Sequence, residues 1–394
     1  MSMFNPDVIV IGAGFAGSVM AERFSKKGKK VLLIEKRNHL GGNCYDYLDK
    51  NGIFIQKYGP HIFHTKDKTA YDYLSNFTEW VEYEHEVLAN VNNKNIHIPF
   101  NLNSLYELFD TKKAEKLEKK LLDLFNEGEK IPVLKLKELA EKKGDGDLIE
   151  LANLIFEKIF LNYSLKQWGI RPEELIGVTE RVPILLSKDN RYFAEPYQGM
   201  PKEGYFKIFE KMLDNKNIKI LLNTDYKKII EIKSEDILLF GEKWEGTFVY
   251  SGKIDEFFDF KHGKLPYRSL KLEFKEENEE FIQENSVINY PSAKDFTRIT
   301  EFKHFYKNNP DQNSIKKTVF VTEYPCEHNS ENIPYYPIPQ EDNFKKLELY
   351  NEELKKYNSK GKSKIIFIGR LAEYKYYNID NIIKVALEKF NELD

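Results

Sequence analysis

Three glycines and one acidic residue near the start of the chain have a spacing that suits a phosphate-bearing ligand. Gly12, Gly14 and Gly17 form the pattern G-x-G-x-x-G, and Glu35 follows 18 residues after the last of them. In such a pattern the first glycine permits a tight turn, the second lets a pyrophosphate approach the backbone, and the third lets a helix pack closely on a strand. A carboxylate at Glu35 accepts hydrogen bonds from ribose hydroxyls and repels a 2′-phosphate. The pattern therefore predicts an adenine dinucleotide other than NADP.

The residues around this motif predict the elements that position it. Val8–Ile11 is a continuous apolar run of the kind found in buried parallel strands, and Val31–Ile34 is a second one that ends at Glu35. Between them, apolar residues recur at helical spacing, so a helix N-terminus with free N–H groups would point at the phosphates. A glycine-rich packing turn is the alternative interpretation of the glycines alone. Strand, helix, strand and acid together favour a βαβ nucleotide-binding start.

A second glycine pair narrows the choice of dinucleotide. Gly41 and Gly42 follow Glu35 as E-x-x-x-x-x-G-G, an arrangement that resembles FAD-binding flavoproteins of the glutathione reductase and amine oxidase kind. A plain turn is the alternative. In such flavoproteins a late strand ends near the isoalloxazine ring, and the segment "IIFIGR" at residues 365–370 fits that strand. FAD is therefore the expected cofactor.

A tyrosine-rich segment lies between that late strand and a final helix. The helix has an apolar face, and Asn378 or Asp380 is suited to cap its N-terminus. Because the segment joins a flavin-binding strand to this helix, we expect Tyr374, Tyr376 and Tyr377 to face the active site rather than the core. Ordinary amphipathic packing is the alternative for each tyrosine.

Composition excludes several classes of protein. The chain of 394 residues carries 60 Lys plus Arg and 63 Asp plus Glu, a balance that argues against a nucleic-acid binder. No apolar run approaches the ~20 residues that span a bilayer, and no secretory segment follows Met1. Cys44 and Cys326 form neither a disulfide framework nor a metal-ligand pattern. We expect a reduced cytoplasmic protein without a bound metal, a membrane partner or a nucleic-acid partner.

Residue patterns predict an α/β protein in which a Rossmann-like FAD-binding domain carries a helical insert domain and an antiparallel β-sheet domain. Residues 111–150 combine Lys, Glu and Leu at helical spacing, whereas strand-like alternation dominates residues 181–340. The expected boundaries are 1–75, 200–245 and 345–394 for the FAD-binding domain, 100–180 for the helical domain with a mobile substrate loop, and 76–99, 181–199 and 246–344 for the sheet domain.

Several short motifs occur together along the chain. They are "YGPHIFHT" at 58–65, "NYSLKQWG" at 162–169, "TERVP" ending at 183, "TRITE" at 297–301, "IPYYPI" at 333–338 and "GRLAEYKYYNID" at 369–380. With the glycine motifs they resemble, nearly end to end, the bacterial type of UDP-galactopyranose mutase. The resemblance implies a flavin-dependent isomerase that interconverts UDP-galactopyranose and UDP-galactofuranose only when the flavin is reduced. Flavin N5 would act as nucleophile on the anomeric carbon, with UDP as leaving group.

The resemblance also implies roles for individual residues. The catalytic residues would be Arg181 and Arg298, which match the two diphosphate-binding arginines, and His61 at the flavin face. The substrate-binding residues would be Tyr163, which stacks on uracil, and Trp168, Tyr192, Arg268, Asn289, Tyr336, Tyr376 and Asn378. The cofactor-binding residues would be Gly12, Gly14, Phe15, Gly17, Glu35, Lys36, Arg37, Gly42, Asn43, His61, Gly369, Arg370, Tyr376, Asn378 and Ile379.

Physical chemistry is consistent with these roles. Breaking a bond between a sugar and UDP develops negative charge on the β-phosphate, which arginines stabilise with forked, charge-assisted hydrogen bonds. Surface ion pairs are the alternative for Arg181 and Arg298, and a structural hydrogen bond is the alternative for His61. Neither a Ser-His-Asp order nor H-E-x-x-H occurs in the chain, so nothing in the sequence suggests a side-chain nucleophile or a catalytic metal.

Other activities remain open at this point. The family often has an aspartate where this chain has Asn378, which leaves the fine sugar contacts undecided. The same ring contraction on UDP-N-acetylgalactosamine, an amine-oxidase-like FAD oxidoreductase, and a non-catalytic FAD-binding protein are the alternatives. The resemblance further implies NADH or NADPH as reductant, a homodimer, and a product used in cell-surface polysaccharide biosynthesis.

Overall fold

The βαβ start predicted from the glycine motif lies at the centre of a parallel sheet. The computed structural model describes residues 4–171, 183–233, 236–309, 312 and 314–393. Val8–Ile11 pairs in parallel with Val31–Ile34 on one side and with Thr247–Tyr250 on the other. Ile218–Leu221 and Lys364–Phe367 complete the sheet at its two edges. This dinucleotide sheet confirms the Rossmann-like fold.

Helices cover the dinucleotide sheet. Phe15–Lys26, which follows the glycine motif directly, packs against Tyr205–Leu213 and Ile379–Asn391. Glu341–Lys360 packs against the edge strand Lys364–Phe367. The sheet strands are buried along their whole length, apart from the outer strand Ile218–Leu221 and Thr247 and Lys364 at strand ends, because helices remove both faces from water.

The strand Thr247–Tyr250 corrects one predicted boundary. The segment was expected to begin the sheet domain at residue 246, but it pairs in parallel with the first strand of the chain. Its neighbour Ser251 donates a hydrogen bond to the Ile11 carbonyl at 2.7 Å and so lies beside the glycine turn. Alternating residue types do not distinguish a buried parallel strand from an antiparallel one at this length, which explains the error.

A large, mostly antiparallel sheet forms the second body of the structure. Its strands in spatial order are Tyr336–Pro337, Tyr267–Glu277, Thr318–Glu327, Arg298–Glu301, Val287–Asn289, Val87–Val91 and Lys94–Ile98. One pair, Val287–Asn289 with Val87–Val91, is parallel. The register places Asn289 opposite Arg298 and Arg298 opposite Glu323. Directly opposite residues point to the same face, so these three side chains form a row across adjacent strands.

The helical insert lies in the sequence between the strands Lys94–Ile98 and Ile184–Leu185. Its helices are Leu102–Leu108, Thr111–Leu122, Val133–Lys143, Gly146–Ile155 and Asn162–Trp168, the last two joined by a π-helical turn at Phe156–Leu161. Arg181 falls within residues 172–182, which lie outside the described residues, whereas Trp168, which was expected on the mobile substrate loop, is the last residue of a described helix. In the part of the chain that is described, no helix has the length and apolar character needed to cross a membrane.

Smaller elements connect the larger bodies. The remaining strands are Asp46–Leu48 with Phe54–Gln56; Phe63–Thr65, Tyr197–Pro201 and Trp80–Val81; Ile230–Ile232, Ile237–Leu239 and Glu242–Trp244; and Lys130–Ile131 with Ile184–Leu185. The remaining helical segments are Lys68–Ser75, Ile254–Phe257 and the 3₁₀ turns Gly42–Cys44, Tyr226–Lys228 and Phe302–Tyr306.

Candidate functional site

The three motif glycines differ in what surrounds them. A Cβ atom on Gly12, which has φ of +97°, would lie 2.2 Å from Ser251 Oγ, and one on Gly17 would lie 2.0 Å from the Gly12 carbonyl oxygen. A Cβ on Gly14 would meet nothing nearer than Gly42 Cα at 3.7 Å, an ordinary contact. Packing of the chain on itself therefore explains Gly12 and Gly17. Gly14 instead borders open space, as expected for backbone that a pyrophosphate approaches.

The glycine turn at residues 12–17 and the residues beside it that would hold a dinucleotide are called the cradle here. Glu35 and Arg37 lie at the end of the cradle where a ribose would bind. The Glu35 carboxylate is buried and accepts hydrogen bonds from the backbone N–H groups of Ala13 and Arg37, both at 2.9 Å. Its oxygens keep lone pairs for ribose hydroxyls, because an ionised carboxylate has about four acceptor sites. The Arg37 guanidinium stacks 4.3 Å from the Tyr58 ring centroid and donates from Nη2 to Asn43 Oδ1 at 2.9 Å.

The second terminal nitrogen of Arg37 supports the fit of an anionic cofactor. Arg37 Nη1 is buried and has no hydrogen-bond partner among the described residues. A buried cationic donor left without an acceptor carries a desolvation penalty of about 1–3 kcal/mol or more. A ribose or pyrophosphate oxygen of a dinucleotide in this cradle would satisfy it.

The far end of the cradle is formed by the last strand and the last helix. Gly369 has φ of +104°, and a Cβ there would lie 3.2 Å from Ala16 Cβ, so the end of the last strand touches the first helix. Asn378 is the N-cap of the last helix by backbone conformation, but within the described chain its side chain makes no capping hydrogen bond. Asp380 instead accepts from Thr65 Oγ1 at 2.9 Å. The first-turn N–H groups of the helix are thus left to a ligand's polar edge.

Some predicted cofactor residues contribute backbone rather than side chains to this region. The Phe15 ring is buried against Phe209, 4.5 Å between ring centroids, and Ile379 is buried in the same core. Lys36 is exposed to solvent. The Phe15 and Ile379 side chains fill the core, so a dinucleotide would meet their main-chain atoms, whereas the Lys36 side chain faces water.

The three tyrosines expected to face the site have separate environments. Tyr374 is 2% exposed, and its hydroxyl accepts from the Ile338 N–H at 3.1 Å and donates to the Pro266 carbonyl at 2.5 Å. Tyr377 is also buried in the core. Only Tyr376 of these three is exposed, at 38%. The expectation is therefore wrong for Tyr374 and Tyr377, whose rings are fixed by ordinary packing.

Arg298 is the best-defined charged group of the proposed substrate site, which is called the cleft here. Its Nε donates to Glu323 Oε1 at 2.7 Å, and the Glu323 side chain is 2% exposed. Burial is the largest single effect and acts to lower the pKa of Arg298, but the Glu323 carboxylate together with Tyr163 and Tyr336 raises it overall. The guanidinium is thus permanently charged and held by one edge. Asn289 lies opposite Arg298 on the other neighbouring strand. Its Oδ1 atom is buried and has no hydrogen-bond partner among the described residues.

Tyr163 and Tyr336 lie close enough to Arg298 to influence its pKa, and further aromatic side chains pack against Tyr336. Trp168 contacts Tyr336 edge-on at 5.9 Å, and Tyr336 stacks with Tyr376 at 6.1 Å. Arg370 lies 4.7 Å from the Tyr376 ring centroid and donates to the carbonyls of Tyr335 and Tyr377, at 3.1 and 2.7 Å. Arg370 therefore holds this tyrosine pair in place by its guanidinium face and both of its edges.

The hydroxyls of these tyrosines are neutral donors at physiological pH. Burial raises the pKa of Tyr163 to about 12, although the charge of Arg298 opposes the shift. Burial raises the pKa of Tyr336 as well, again against the charge of Arg298. Tyr192 belongs to the same group of rings, since it influences the pKa of Tyr163 and packs edge-on against His85 at 5.8 Å.

His61 is neutral in this site. Its Nδ1 lies 2.9 Å from the Gly59 carbonyl, which can only accept, so Nδ1 carries the proton and Nε2 is an acceptor. Its backbone N–H donates to Gln56 Oε1. Burial, followed by the charge of Arg370, lowers the pKa of His61 to about 4. A neutral imidazole here orients polar groups but does not supply a positive charge.

Arg268 lies directly opposite Tyr336 in the strand register, and its guanidinium binds the end of a helix. Its guanidinium is buried and donates from Nε to the Gln167 carbonyl at 2.7 Å and from Nη2 to the Lys166 carbonyl at 2.9 Å. These carbonyls lie in the last turn of the helix Asn162–Trp168. The last C=O groups of a helix have no N–H partner within the helix. Arg268 thus caps the helix that carries Tyr163 and Trp168, and its role in binding substrate stays a prediction.

Two residues that hold the site were not among the predicted site residues. Glu323 lies in the middle of the strand "TVFVTEYPCE", whose other acid, Glu327, is its last residue. An acid within an apolar strand run is the signal that could have identified Glu323. Lys166 lies inside the quoted motif "NYSLKQWG", yet its side chain donates to backbone carbonyls of a distant turn. Nothing in the sequence indicates that contact.

Comparison with known proteins agrees with this geometry. The GLF family model, described as UDP-galactopyranose mutase, matches residues 158–376, and a model of NAD(P)-binding Rossmann-like domains matches residues 10–77. A probable UDP-galactopyranose mutase of Klebsiella pneumoniae is 32% identical over 99% of this chain and 95% of its own length. This chain belongs to the UDP-galactopyranose mutase family.

Two further relatives place the family membership in context. A dTDP-fucopyranose mutase of Escherichia coli is 32% identical over 97% of this chain and 96% of its own length. The crystal structure of a reduced UDP-galactopyranose mutase has a TM-score of 0.70 with 16% identity, covering 98% of this chain and 95% of that one. The structural match supports the fold, and the sequence matches support the family.

The residues of this mutase-family chain fit FAD. The open space beside Gly14, the Glu35 carboxylate and the unpartnered Arg37 nitrogen lie along one cradle that ends at the last helix. Among the described residues no group of three or more His, Cys, Asp and Glu side chains is arranged to hold a metal ion.

Proposed function

We propose that this chain is a flavin-dependent isomerase that interconverts UDP-galactopyranose and UDP-galactofuranose, with FAD in the glycine cradle. The observation that carries the proposal is Arg298, whose guanidinium is fixed on one edge by buried Glu323. The partner strand places the unpartnered Asn289 amide oxygen beside it. A fixed cation next to an unsatisfied amide and a group of tyrosine hydroxyls suits a nucleoside diphosphate.

The side chains of the cleft have distinct tasks in this proposal. Arg298 binds the diphosphate and stabilises the charge that develops when the bond from the sugar to UDP breaks, an effect worth about 1.5–3 kcal/mol per well-aligned charged hydrogen bond. Tyr192, Tyr336 and Tyr376 add neutral donors. Tyr163 stacks on the uracil ring, and Asn289 accepts from its uridine. Arg181 would complete the diphosphate contacts.

The reacting end of the site depends on the cofactor. Bound and reduced, FAD would supply the nucleophilic nitrogen for the anomeric carbon, which no side chain of this cleft offers. Neutral His61 would accept a hydrogen bond through Nε2 at the flavin face without adding positive charge. Arg370 would keep Tyr376 in place between the cofactor and the diphosphate.

The identity of the nucleotide sugar is the first point to test. The dTDP-fucopyranose mutase of E. coli is as similar to this chain as the Klebsiella protein, so ring contraction of dTDP-fucopyranose is a second candidate. Purified holoprotein is incubated with dithionite and UDP-galactopyranose, dTDP-fucopyranose or UDP-N-acetylgalactosamine, and furanose products are separated by chromatography. We expect turnover of UDP-galactopyranose. Turnover confined to either other sugar would reassign the substrate.

The same assay separates the isomerase from an oxidoreductase. An isomerase needs the flavin reduced and consumes no reductant per turnover, whereas an amine-oxidase-like enzyme oxidises its substrate. Equal rates with reduced and oxidised flavin would contradict the proposal.

Arg298→Ala tests the diphosphate assignment. We expect most turnover to be lost while the protein remains yellow, because the cofactor cradle lies on another sheet. Arg23→Ala is the matched control, since Arg23 pairs with Glu22 on the first helix away from the cleft. Near-normal kcat in Arg298→Ala would exclude this role.

The remaining features of the function are proposed on the family resemblance. NADH or NADPH would reduce the flavin, the protein would act as a homodimer in the cytoplasm, and its product would serve cell-surface polysaccharide biosynthesis. Stopped-flow reduction of the flavin by each nicotinamide and light scattering of the holoprotein test the first two features.

A further inference from the structure

The helix Asn162–Trp168, called here the Tyr163 helix, is attached to the large sheet by one lysine. Lys166 Nζ donates to the carbonyls of Tyr290, Ala293 and Phe296 at 2.6, 2.9 and 2.8 Å. An ammonium group has three N–H donors, and all three are used. The acceptors all lie in residues 290–296, a single turn of the large sheet.

That turn joins the two strands that carry the proposed uridine-binding and diphosphate-binding residues. It connects the strand ending at Asn289 with the strand beginning at Arg298, and these two residues face each other in the register. The Tyr290 N–H donates to the Thr297 carbonyl at 2.8 Å, which closes the turn. We call this unit the Asn289 hairpin. Lys166 therefore binds the turn of the hairpin whose strand ends carry Asn289 and Arg298.

The other side of Lys166 is fixed as well. Its carbonyl oxygen accepts from Arg268 Nη2 at 2.9 Å, and the neighbouring Gln167 carbonyl accepts from Arg268 Nε at 2.7 Å. Tyr163 lies three residues earlier, so its side chain and that of Lys166 are on the same face of the helix. Two parts of the large sheet thus hold the end of this helix. Arg268 binds its backbone, and the turn of the Asn289 hairpin binds the Lys166 side chain.

We propose that Lys166 is a positioning residue for the nucleotide end of the substrate. It joins the Tyr163 helix to the Asn289 hairpin. The three residues proposed to bind the nucleotide, Tyr163, Asn289 and Arg298, therefore move as one unit. The inference rests on the proposed function, and it explains how the residues of the proposed nucleotide site stay aligned with one another. Lys166 touches no reacting atom in this proposal.

The charge of Lys166 gives the contact a pH dependence. Burial lowers the pKa of Lys166 to about 8, although the Asp295 carboxylate opposes the shift. The groups facing it are Asp295 and Tyr290 on the hairpin, Arg268 on the adjoining strand and Tyr163 on its own helix. Burial raises the pKa of Tyr290 and of Tyr163, and carboxylates and guanidinium groups do not titrate near pH 8. Above pH 8 Lys166 loses one N–H donor and its charge, so the attachment weakens.

The test compares UDP affinity with turnover in the flavin-loaded protein. Lys166→Met keeps the length of the side chain and removes the donors. We expect a Kd for UDP, measured by calorimetry at pH 7, about tenfold higher or more, since hydrogen bonds from charged groups have this order of effect. KM should rise similarly, kcat should stay within about threefold, and flavin content should not change.

Two further variants separate positioning from folding. Lys166→Arg retains charge and donors and should restore the Kd to within about threefold. Lys166→Gln, which keeps part of the hydrogen bonding, gives an intermediate Kd and serves if the methionine variant does not fold. Lys158→Met is the control, because Lys158 is an exposed lysine in the preceding helical turn.

The pH series adds a readout that a purely structural role would not change. Wild-type affinity for UDP should fall as pH rises from 7 to 9.5, and that fall should be absent in Lys166→Met and Lys166→Arg. An unchanged Kd in Lys166→Met, or a loss of kcat with KM unchanged, would overturn the inference while leaving the proposed function intact. A wild type that turns over no UDP-sugar and binds no UDP would overturn the proposed function first.

Discussion

The two ends of the cleft are built in different ways. At the dinucleotide end, most groups that would meet the ligand are backbone atoms and the side chains of Glu35 and Arg37 within residues 12–43, and only the last helix comes from far along the chain. At the nucleotide-sugar end, Tyr163, Asn289, Arg298, Tyr336 and Tyr376 come from distant segments. Backbone geometry orients the first set, whereas buried side-chain partners orient the second.

The difference affects how each end responds to mutation. A site made of backbone is lost only when the local turn is blocked, because neighbouring side chains contribute little to it. A site made of side chains also depends on residues behind them, such as Glu323 behind Arg298 and Arg370 beside Tyr376. Substitutions at the two ends should therefore separate cofactor content from substrate handling.

Gly14→Val should have the largest effect. A branched side chain at this position would occupy the space beside the glycine turn, and we expect a folded protein that purifies without FAD, measured by flavin absorbance and circular dichroism. Gly14→Ala is the informative partner, because its Cβ would meet only an ordinary contact with Gly42 at 3.7 Å. A fully flavinated valine variant would show that the cradle holds its ligand elsewhere.

Glu323→Gln should reduce turnover about 10- to 100-fold with FAD retained. The amide keeps the shape of the side chain but leaves the Arg298 guanidinium without its anionic partner, which has an effect of about 1.5–3 kcal/mol. Steady-state kinetics with UDP-galactopyranose measures the change. If the variant keeps wild-type kcat/KM, Glu323 does not orient the arginine, and the contrast between the two ends is weaker than described.

Tyr163→Ala should weaken UDP binding by about 1–3 kcal/mol if its ring stacks on uracil. Tyr163→Phe keeps the ring and should bind UDP nearly as well as the wild type. Calorimetry of both variants separates stacking from hydrogen bonding by the hydroxyl. Equal affinities for the alanine variant and the wild type would assign Tyr163 to packing.

Tyr374→Phe should lower stability and leave activity nearly unchanged, whereas Tyr376→Phe should lower activity and leave stability nearly unchanged. The Tyr374 hydroxyl bonds the buried Ile338 N–H and Pro266 carbonyl, so its removal should cost about 1–3 kcal/mol of unfolding free energy with little change in kcat/KM. Removal of the exposed Tyr376 hydroxyl should change stability by no more than about 0.5 kcal/mol and raise KM a few-fold. Denaturant titration and kinetics measure both. A stability loss confined to Tyr376→Phe would reverse the placement of the two rings.

The cradle was predictable from the amino-acid sequence to the level of single residues. The spacing of Gly12, Gly14 and Gly17 to Glu35 predicts strand, turn, helix and strand, and the structure confirms each of them. Local backbone conformation depends on residues near in sequence, so a short pattern contains nearly all the information it needs. The motif resemblance extended this to the family, which the comparisons confirm.

Tertiary contacts were needed for the rest. The strand Thr247–Tyr250 was placed in the wrong sheet, and Tyr374 was expected in the cleft although it lies in the core. The roles of Glu323 and Lys166 could not be read from any motif, because they arise from strand register and from a helix meeting a distant turn. Which side chain of a tyrosine-rich segment is buried depends on what packs against it, and residues far away in the chain supply that packing.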